Sequence, residues 1–312
     1  MLFAFFGVCW TLGKKIRRLG HRLSADSTLR FKQNELQSHD PSERKDHEPN
    51  PCYVSLACRW RQILFCFSVG PGPTVVIVHG VGGHKEDWIE VAEALANKRR
   101  VNGIDMLSFG DSSKNGDDLS MPVQAAALKV LLDHHTIDTA DLVGNSAGSW
   151  TAAPFAAHYP DRLNRLVLTD PAGFKTMFEG TSPVNFDPNN ADEMRKVIEI
   201  TINSAVAHQP ELAQQAFNAY VRSGEKAIAS TWGKSLFLSP WLEDLFPGIT
   251  MPTLVLWGAD DKLFPSVLAD VFSGRISGAH QLLIPDAGYF PRINNPQATI
   301  KALADYLSTE VQ

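Results

Sequence analysis

The chain is poor in cysteine and has no internal repeat. Only four of its 312 residues are cysteines, and all four lie at or before position 66. A disulfide framework therefore cannot hold the rest of the chain together, and this pattern favours a reducing compartment. We also find no sustained short period and no domain-scale repeat, which excludes collagen, coiled coils and solenoids as descriptions of the fold.

An excess of charge of one sign is also missing. The formal net charge is −5 and the sequence pI is about 6.1, which argues against nucleic acid as a partner. Metal-binding spacings such as His-Glu-x-x-His and Cys-x-x-Cys do not occur, and neither do the phosphate-binding loop and the dinucleotide fingerprint. We therefore expect neither a metal nor a cofactor.

The one long apolar run lies at the N-terminus. Met1–Leu12 is mostly apolar but ends well short of the roughly 20 residues that a membrane-spanning helix needs. Basic residues follow it, from Lys14 to Arg22, whereas a secretory signal carries its charges before the apolar stretch. The segment is either a poorly ordered extension or a weak contact with an anionic membrane surface. The expected location is the cytoplasm or the periphery of a membrane.

The rest of the chain has the pattern of an α/β protein. We predict an N-terminal extension and linker over residues 1–52 and the first part of an α/β core over 53–172, where strand and helix patterns alternate. Residues 173–249 contain helical patterns without strand signals, which predicts a helical lid. Residues 250–312 complete the core. Such alternation predicts a mostly parallel central sheet with helices on both faces.

Two apolar runs stand near the start of this core. They are Gln62–Val69 and Thr74–Val78, and Gly70-Pro71-Gly72-Pro73 separates them. Apolar runs joined by a short segment of turn residues usually fold back on each other. The sequence therefore predicts a hairpin that leads into a buried strand.

The strongest motif is Gly144-Asn-Ser-Ala-Gly148, a G-x-S-x-G sequence with Ser146 at its centre. An apolar strand pattern precedes it and an alanine-rich helix pattern follows it, which is the context that this motif requires. The glycines allow a strand-to-helix turn that is too sharp for flanking side chains, and the turn holds the serine oxygen at the positive end of a helix. The alternative is a strand-to-helix turn without chemistry.

A second motif, His79–Trp88, follows the first buried strand pattern. Acyl transfer needs amide donors directed at the developing oxyanion, and the N–H groups of Val81 and Ala147 are the predicted pair. We interpret His79 as a brace for this loop. His84 is either a solvent-facing loop residue or a local replacement for a missing base.

Taken together, these segments resemble the α/β-hydrolase superfamily in order and spacing, from about residue 60 to 308. The matching segments are the strand with its His79-Gly80 loop, Asp105–Ser112, Gly144–Gly148, Leu168–Phe174 and Trp257–Asp261. Within the superfamily they are most similar to capped monoacylglycerol lipases and esterases. The resemblance implies an α/β-hydrolase fold and acyl-ester cleavage by a serine, an acid and a histidine.

The resemblance also implies positions for the acid and the base. The acid falls on Asp261, with the adjacent Asp260 as the alternative. The base falls on Tyr289, so the family histidine is missing. A phenol has a pKa near 10 and is a poor general base at neutral pH. His280 precedes the last strand pattern, which would carry it roughly 15 Å toward the opposite edge of the sheet.

Three functions remain open on this sequence. The first is a serine hydrolase of the lipase or esterase type that acts on an acyl ester through Ser146 and an oxyanion hole. The second is a catalytically impaired hydrolase fold that binds an apolar ligand or a protein partner. The third is a non-hydrolytic, lyase-like enzyme that uses Ser146 and Tyr289. Trp, Phe and Leu residues are frequent over 232–246 in the predicted lid, which suits a small hydrophobic ester or acyl substrate, although they could equally pack the lid on the core.

Overall fold

A computed structural model describes residues 52–58, 62–114, 116–178, 185–202 and 209–308. Its strands are β1 (Cys52–Cys58), β2 (Gln62–Val69), β3 (Thr74–Val78), β4 (Arg100–Ile104), β5 (Ala140–Asn145), β6 (Leu163–Thr169), β7 (Thr253–Gly258) and β8 (His280–Ile284). Its α-helices are α1 (Ile89–Leu95), α2 (Met121–His134), α3 (Ala147–His158), α4 (Ala191–Thr201), α5 (Pro210–Arg222), α6 (Glu225–Leu236), α7 (Leu242–Leu245), α8 (Leu268–Arg275), α9 (Pro291–Asn294) and α10 (Pro296–Ser308). The predicted membrane contact of the N-terminal segment lies outside the described residues.

The strands form one sheet in the order β1-β2-β4-β3-β5-β6-β7-β8. Strands β3 to β8 are mutually parallel, while β2 runs antiparallel to both β1 and β4. The prediction of a mostly parallel sheet is therefore confirmed. Parallel strands place their carboxyl ends at one edge of the sheet, so the loops that follow β3, β5, β6, β7 and β8 meet there.

The predicted hairpin between β2 and β3 is wrong, because β4 lies between these two strands. Cys66 of β2 pairs with Ile104 of β4, and Val76 of β3 pairs with Asn102 of the same strand. The turn between β2 and β3 packs on the end of α1 instead of closing a hairpin. Gly70 has a φ of 82° there, and a Cβ at this position would collide with the carbonyl group that it approaches at the end of α1.

Helices cover both faces of the sheet, and the core divides accordingly. Leu142 of β5 packs in the cluster beneath α2 and α3, together with Leu128 and Phe155. The next residue, Val143, packs in the cluster beneath α1 and α10, together with Leu303. Successive side chains of a strand point to opposite faces, so a strand that is buried on both sides must be apolar throughout.

The described segments between β6 and β7 are helical and contain no strand. This region contacts the core through specific polar groups as well as apolar ones. The amides of Leu119 and Met121, at the start of α2, donate to the hydroxyls of Ser235 and Ser239 at 2.9 and 3.0 Å. The indole of Trp150 donates to the Pro240 carbonyl at 2.6 Å. Among the helices described, none has the length and apolar character needed to span a membrane. The lid boundaries at 173 and 249 stay a prediction.

Candidate active site

Ser146 lies at the turn between β5 and α3, at the edge of the sheet where the carboxyl ends meet. Its backbone has φ 55° and ψ −118°, a conformation that side-chain-bearing residues adopt only where the surroundings impose it. A Cβ on Gly144 would lie 2.5 Å from the Gly148 carbonyl oxygen, and one on Gly80 would lie 2.6 Å from the Ser146 Cβ. The glycines of both motifs are therefore required by the closeness of the backbone segments around Ser146.

Backbone hydrogen bonds fix this turn. The Ser146 amide donates to the Thr169 carbonyl at 2.9 Å, and the Ser146 carbonyl accepts from Trp150 at 3.1 Å and from Ala172 at 3.2 Å. Ser146 is only 4% exposed and stands directly before α3, whose N-terminus carries a partial positive charge. Its hydroxyl group therefore has a fixed position in a closed site.

The two amides predicted as oxyanion donors, those of Val81 and Ala147, lie in the two backbone segments that meet at Ser146. The Gly83 amide donates to the Gly80 carbonyl at 3.0 Å, and this turn contains Val81. Within the part of the chain that the structure describes, neither the Val81 nor the Ala147 amide donates a hydrogen bond to another protein group. Both groups therefore remain available to a bound oxygen atom.

His79 braces the Gly80–Trp88 loop, as the sequence predicts. Its Nδ1 donates to the Gly80 carbonyl at 2.7 Å, and its Nε2 accepts from the Met106 amide at 3.0 Å. The side chain is fully buried, and burial lowers its pKa to about 4 although Asp105 opposes the shift. A neutral imidazole whose two nitrogen atoms are both engaged holds the loop and does not serve as a base.

Tyr289 contacts Ser146 directly. The phenol hydroxyl donates a hydrogen bond to Ser146 Oγ, and the Tyr289 side chain is completely buried. Its ring packs edge-on against Phe264, with 5.3 Å between the ring centroids, and at a tilted angle against Phe290, with 5.0 Å between the centroids. Burial raises the pKa of Tyr289 well above its ordinary value, even though the hydrogen bond with Ser146 opposes this shift. The residue in the place of the family base is therefore a neutral phenol.

Of the two candidate acids, Asp261 is half-buried and Asp260 is exposed. One oxygen of Asp261 accepts from the amides of Leu263 and Phe264 at 2.8 and 3.1 Å, and the other accepts from the Trp257 indole at 3.0 Å. Burial raises the pKa of Asp261 to about 7, against these three hydrogen bonds. The loops that carry Asp261 and Tyr289 are in contact, because the Asp260 amide donates to the Ala287 carbonyl at 2.8 Å. A negative charge on Asp261 also contributes to the raised pKa of Tyr289.

A further carboxyl group, that of Asp170, was not singled out from the sequence. It follows β6 directly, is completely buried, and accepts a hydrogen bond from the Gly258 amide at 2.9 Å. Burial, followed by the charge of Asp261, holds the pKa of Asp170 well above its ordinary range. The sequence contains one signal for Asp170, which is its position directly after a buried parallel strand. A carboxyl group at such a position lies at the same edge of the sheet as Ser146.

His84 is not a solvent-facing loop residue, because its imidazole contacts a buried carboxyl group. Its Nε2 lies 3.1 Å from a carboxylate oxygen of Glu225, the first residue of α6, and the Glu225 side chain is completely buried. Burial alone would lower the pKa of His84, but the bond to Glu225 outweighs it and raises the pKa to about 9. The charged imidazole therefore joins the His79–Trp88 loop to the helical region between β6 and β7. His280, the other histidine considered, is exposed at the start of β8.

Comparisons with known proteins agree with this architecture. Residues 73–296 match the family model described as "alpha/beta hydrolase fold". The chain is 30% identical over 258 residues to 2-hydroxy-6-oxo-2,4-heptadienoate hydrolase of Pseudomonas putida, a match that covers 78% of this chain and 91% of the relative. It is 23% identical over 272 residues to monoacylglycerol lipase ABHD6 of Homo sapiens, covering 78% and 79%. A meta-cleavage product hydrolase from Pseudomonas fluorescens IP01 superimposes with a TM-score of 0.72 at 21% identity, over 81% of this chain and 97% of the other. The relatives are hydrolases, and this chain belongs to the α/β-hydrolase fold family.

Proposed function

We propose that this protein binds an acyl ester at Ser146, between the amides of Val81 and Ala147, and hydrolyses it far more slowly than an ordinary serine hydrolase. The observation that carries the proposal is the hydrogen bond from the Tyr289 hydroxyl to Ser146 Oγ in a fully buried environment. It supports a site in which the serine is well placed but has no efficient acceptor for its proton.

The chemical reasoning concerns the proton of Ser146. Attack on a carbonyl carbon requires a base that takes this proton, and imidazole is suited to the task because it titrates near neutrality. The phenol of Tyr289 remains protonated, because burial raises its pKa. Losing one triad member typically removes several orders of magnitude in rate, while the oxyanion hole and binding still contribute about 10³-fold over water.

The expected ligand is a carbonyl compound with an apolar acyl part. Three aromatic rings from different segments contact one another near this edge of the sheet. The ring centroid of Phe109, in the segment after β4, lies 5.7 Å from that of His79 and 5.1 Å from that of Trp232 in α6. Apolar side chains with a few placed polar groups are typical of small-molecule sites. The name of one relative, monoacylglycerol lipase, supports an ester as the substrate.

The test is the reaction of Ser146 with a fluorophosphonate probe, together with turnover of p-nitrophenyl esters of several chain lengths. We expect slow labelling that disappears in Ser146→Ala, and ester turnover orders of magnitude below ordinary serine hydrolase rates. Rapid turnover that Ser146→Ala abolishes would refute the slow-hydrolase proposal and indicate an unrecognised base. Labelling that persists in Ser146→Ala would place the reactive group elsewhere.

A second candidate function follows from the direction of the same hydrogen bond. A neutral phenol that donates toward Ser146 Oγ can serve as a proton donor to a substrate, which is the role expected in non-hydrolytic chemistry on this fold. In that case Tyr289→Phe abolishes the native activity and Tyr289→His does not replace it. For slow ester hydrolysis the expectation is the opposite, because an imidazole at position 289 then supplies what is missing.

A further inference from the structure

We propose that Arg292 is a positioning residue that ties the loop carrying Tyr289 to the loop carrying the Val81 amide. Arg292 lies in α9, three residues after Tyr289. It acts through its contacts with Asp87 and Trp88, and not on the substrate. This inference rests on the proposed function, because it concerns the placement of an amide that is proposed as an oxyanion donor.

The guanidinium group of Arg292 lies between these two loops. Its Nη2 lies 3.6 Å from Asp87 Oδ2, and the side chains of Arg292 and Asp87 are 7% and 0% exposed. Its central carbon lies 5.2 Å from the centroid of the Trp88 ring and 5.4 Å from that of Phe290. A guanidinium pairs with a carboxylate and stacks on aromatic rings at the same time, because it is planar and weakly hydrated. Arg292 therefore has a fixed place among one carboxylate and two rings.

On one side of this contact, Asp87 fixes the backbone of the His79–Trp88 loop. Its Oδ2 accepts from the His84 amide at 2.9 Å, and its own amide donates to the His84 carbonyl at 3.0 Å. A Cβ added to Gly83 would lie 3.2 Å from Asp87 Oδ2 and 3.2 Å from the Gly80 carbonyl oxygen. The carboxylate thus packs against the turn that contains Val81, and a displaced carboxylate displaces this turn.

On the other side, Arg292 contacts the residue that packs on Tyr289. The ring centroids of Tyr289 and Phe290 are 5.0 Å apart. The helix that carries Arg292 also closes back on the loop before it, because Asn294 Oδ1 accepts from the Gly288 amide at 3.1 Å. The segment around Tyr289 and α9 is therefore one packed unit, and Arg292 joins it to the His79–Trp88 loop.

Burial makes the ion pair consequential for the loop. The Asp87 side chain is completely buried, and a charge that is removed from water is costly unless an opposite charge is adjacent. Removing one partner of a buried pair leaves the other uncompensated. Replacing Arg292 by a neutral residue therefore drives the Asp87 carboxylate toward water, together with the backbone that it holds.

The expected consequence concerns the transition state more than the bound substrate. Oxyanion donors act on charge that develops only during the reaction, so their effect depends on exact placement. The acyl part of a substrate does not depend on the Val81 amide. A displaced Val81 amide should therefore lower kcat and leave KM nearly unchanged.

The experiment uses Tyr289→His as the parent for turnover of p-nitrophenyl esters and compares Arg292→Gln with Arg292→Lys. The matched control is Arg275→Gln, which removes an exposed arginine at the end of α8. A double-mutant cycle with Asp87→Asn tests the route, because asparagine keeps an acceptor for the His84 amide and removes the buried charge.

We expect Arg292→Gln to lower kcat by about tenfold or more and to change KM by less than about threefold. Arg292→Lys should recover part of kcat, because it restores the charge but not the planar stack. In Asp87→Asn, the further effect of Arg292→Gln should be less than about threefold. An unchanged kcat, parallel changes of kcat and KM, an Arg275→Gln effect of the same size or a full effect in Asp87→Asn would overturn the proposal. If Arg292→Gln does not fold, Arg292→Lys serves in the same cycle.

A second measurement does not need turnover and uses the native Tyr289. The Gly83 amide donates to the Gly80 carbonyl across Val81, so its hydrogen exchange reports on this turn. We expect exchange at Gly83 to be about tenfold faster in Arg292→Gln than in the native chain, while the amides of β5 exchange as before. Unchanged exchange at Gly83 would overturn the proposal.

The two measurements separate this inference from the function on which it rests. If Tyr289→His shows no turnover but exchange at Gly83 depends on Arg292, the proposed function fails and the assignment of Arg292 holds. If Tyr289→His is active and neither its kcat nor the exchange at Gly83 depends on Arg292, the proposed function holds and the assignment of Arg292 fails.

Discussion

The two sides of the site around Ser146 differ in how closely they follow the pattern that the resemblance to α/β-hydrolases implies. On the β3 and β5 side, the glycines, the strained serine and the free amides of Val81 and Ala147 are all in place. On the side formed by the loops after β6, β7 and β8, a neutral phenol lies against the serine, and the carboxyl groups of Asp170 and Asp261, both with raised pKa values, belong to the same edge of the sheet. The first side is held by backbone packing, whereas the second depends on one side chain.

This difference indicates that the architecture of the site and its chemistry are separable. Replacing a glycine beside Ser146 would force backbone segments apart, so the fold itself selects against such changes. Replacing the residue at position 289 by another ring of similar size leaves the fold intact. The residue at position 289 can therefore change while the turn at Ser146 and the amides of Val81 and Ala147 stay in place.

The largest expected effect is a gain of activity in Tyr289→His. If Ser146 is the nucleophile and the amides of Val81 and Ala147 are the donors, as we propose, one substitution would complete a preformed arrangement. We expect turnover of short and medium p-nitrophenyl esters to rise by two to three orders of magnitude, which corresponds to roughly 3–4 kcal/mol of barrier. The gain must disappear in Tyr289→His combined with Ser146→Ala. A decrease of a genuine native activity would instead favour the non-hydrolytic function of Tyr289.

Sequence reasoning located the first side of the site more completely than the second. Ser146 follows from a local pattern, because strand, glycines and helix are contiguous in the chain. The loop predicted to supply an oxyanion donor is found for the same reason, since His79 and Gly80 directly follow the buried strand β3; its function stays a prediction. The substitution at position 289 was also visible, but only through the resemblance to a family.

The features that were missed or wrong depend on contacts between distant segments. The β2–β3 hairpin fails because β4, which is later in the chain, takes the place between them. The partner of His84 is Glu225, a residue 141 positions away on α6. Asp170 stands within a segment that carried the resemblance, but its burial follows only from the packing of β7 against β6. Local patterns contain none of this information.

The second prediction tests whether backbone packing between the loops after β3 and β5 fixes the position of Ser146. In Gly80→Ala the new Cβ would lie 2.6 Å from the Ser146 Cβ, so one of the two segments must move. We expect the free energy of unfolding to fall by about 2–3 kcal/mol and labelling of Ser146 to fall at least tenfold. Gly274→Ala is the matched control, because nothing lies within 4 Å of its added Cβ. Equal effects of the two variants would contradict this account of the turn.

The third prediction concerns the ion pair between His84 and Glu225, which joins the His79–Trp88 loop to α6. The pKa of His84 is about 9 in the folded protein, against 6.5 for an unperturbed histidine. Because the pKa of His84 is higher in the folded than in the unfolded state, protonation of His84 stabilises the folded protein. This stabilisation is complete below pH 6.5 and is lost as the pH rises through 9. We expect a loss of about 2 kcal/mol over this interval, since the side chain is only partly exposed.

Denaturant unfolding at pH 6 and pH 9.5 measures this loss, and Glu225→Gln is the control. The variant keeps an acceptor for a neutral imidazole but removes the charge that raises the pKa of His84. Its stability should therefore change much less between the two pH values than that of the native chain. A native chain that is equally stable at both values would show that the pair does not hold the loop.

The smallest expected effect is that of Tyr289→Phe, which removes the hydroxyl and keeps the ring. The ring contacts with Phe264 and Phe290 remain and the hydrogen bond to Ser146 is lost, so the free energy of unfolding should fall by about 1 kcal/mol. Labelling should stay at least tenfold below that of Tyr289→His, because an uncovered serine still has no base. If Tyr289→Phe instead labels as fast as Tyr289→His, the phenol suppresses Ser146 by occupying its oxygen. In that case the Tyr289 hydroxyl would block a Ser146 that is reactive without it, and the missing base would no longer explain the slow reaction.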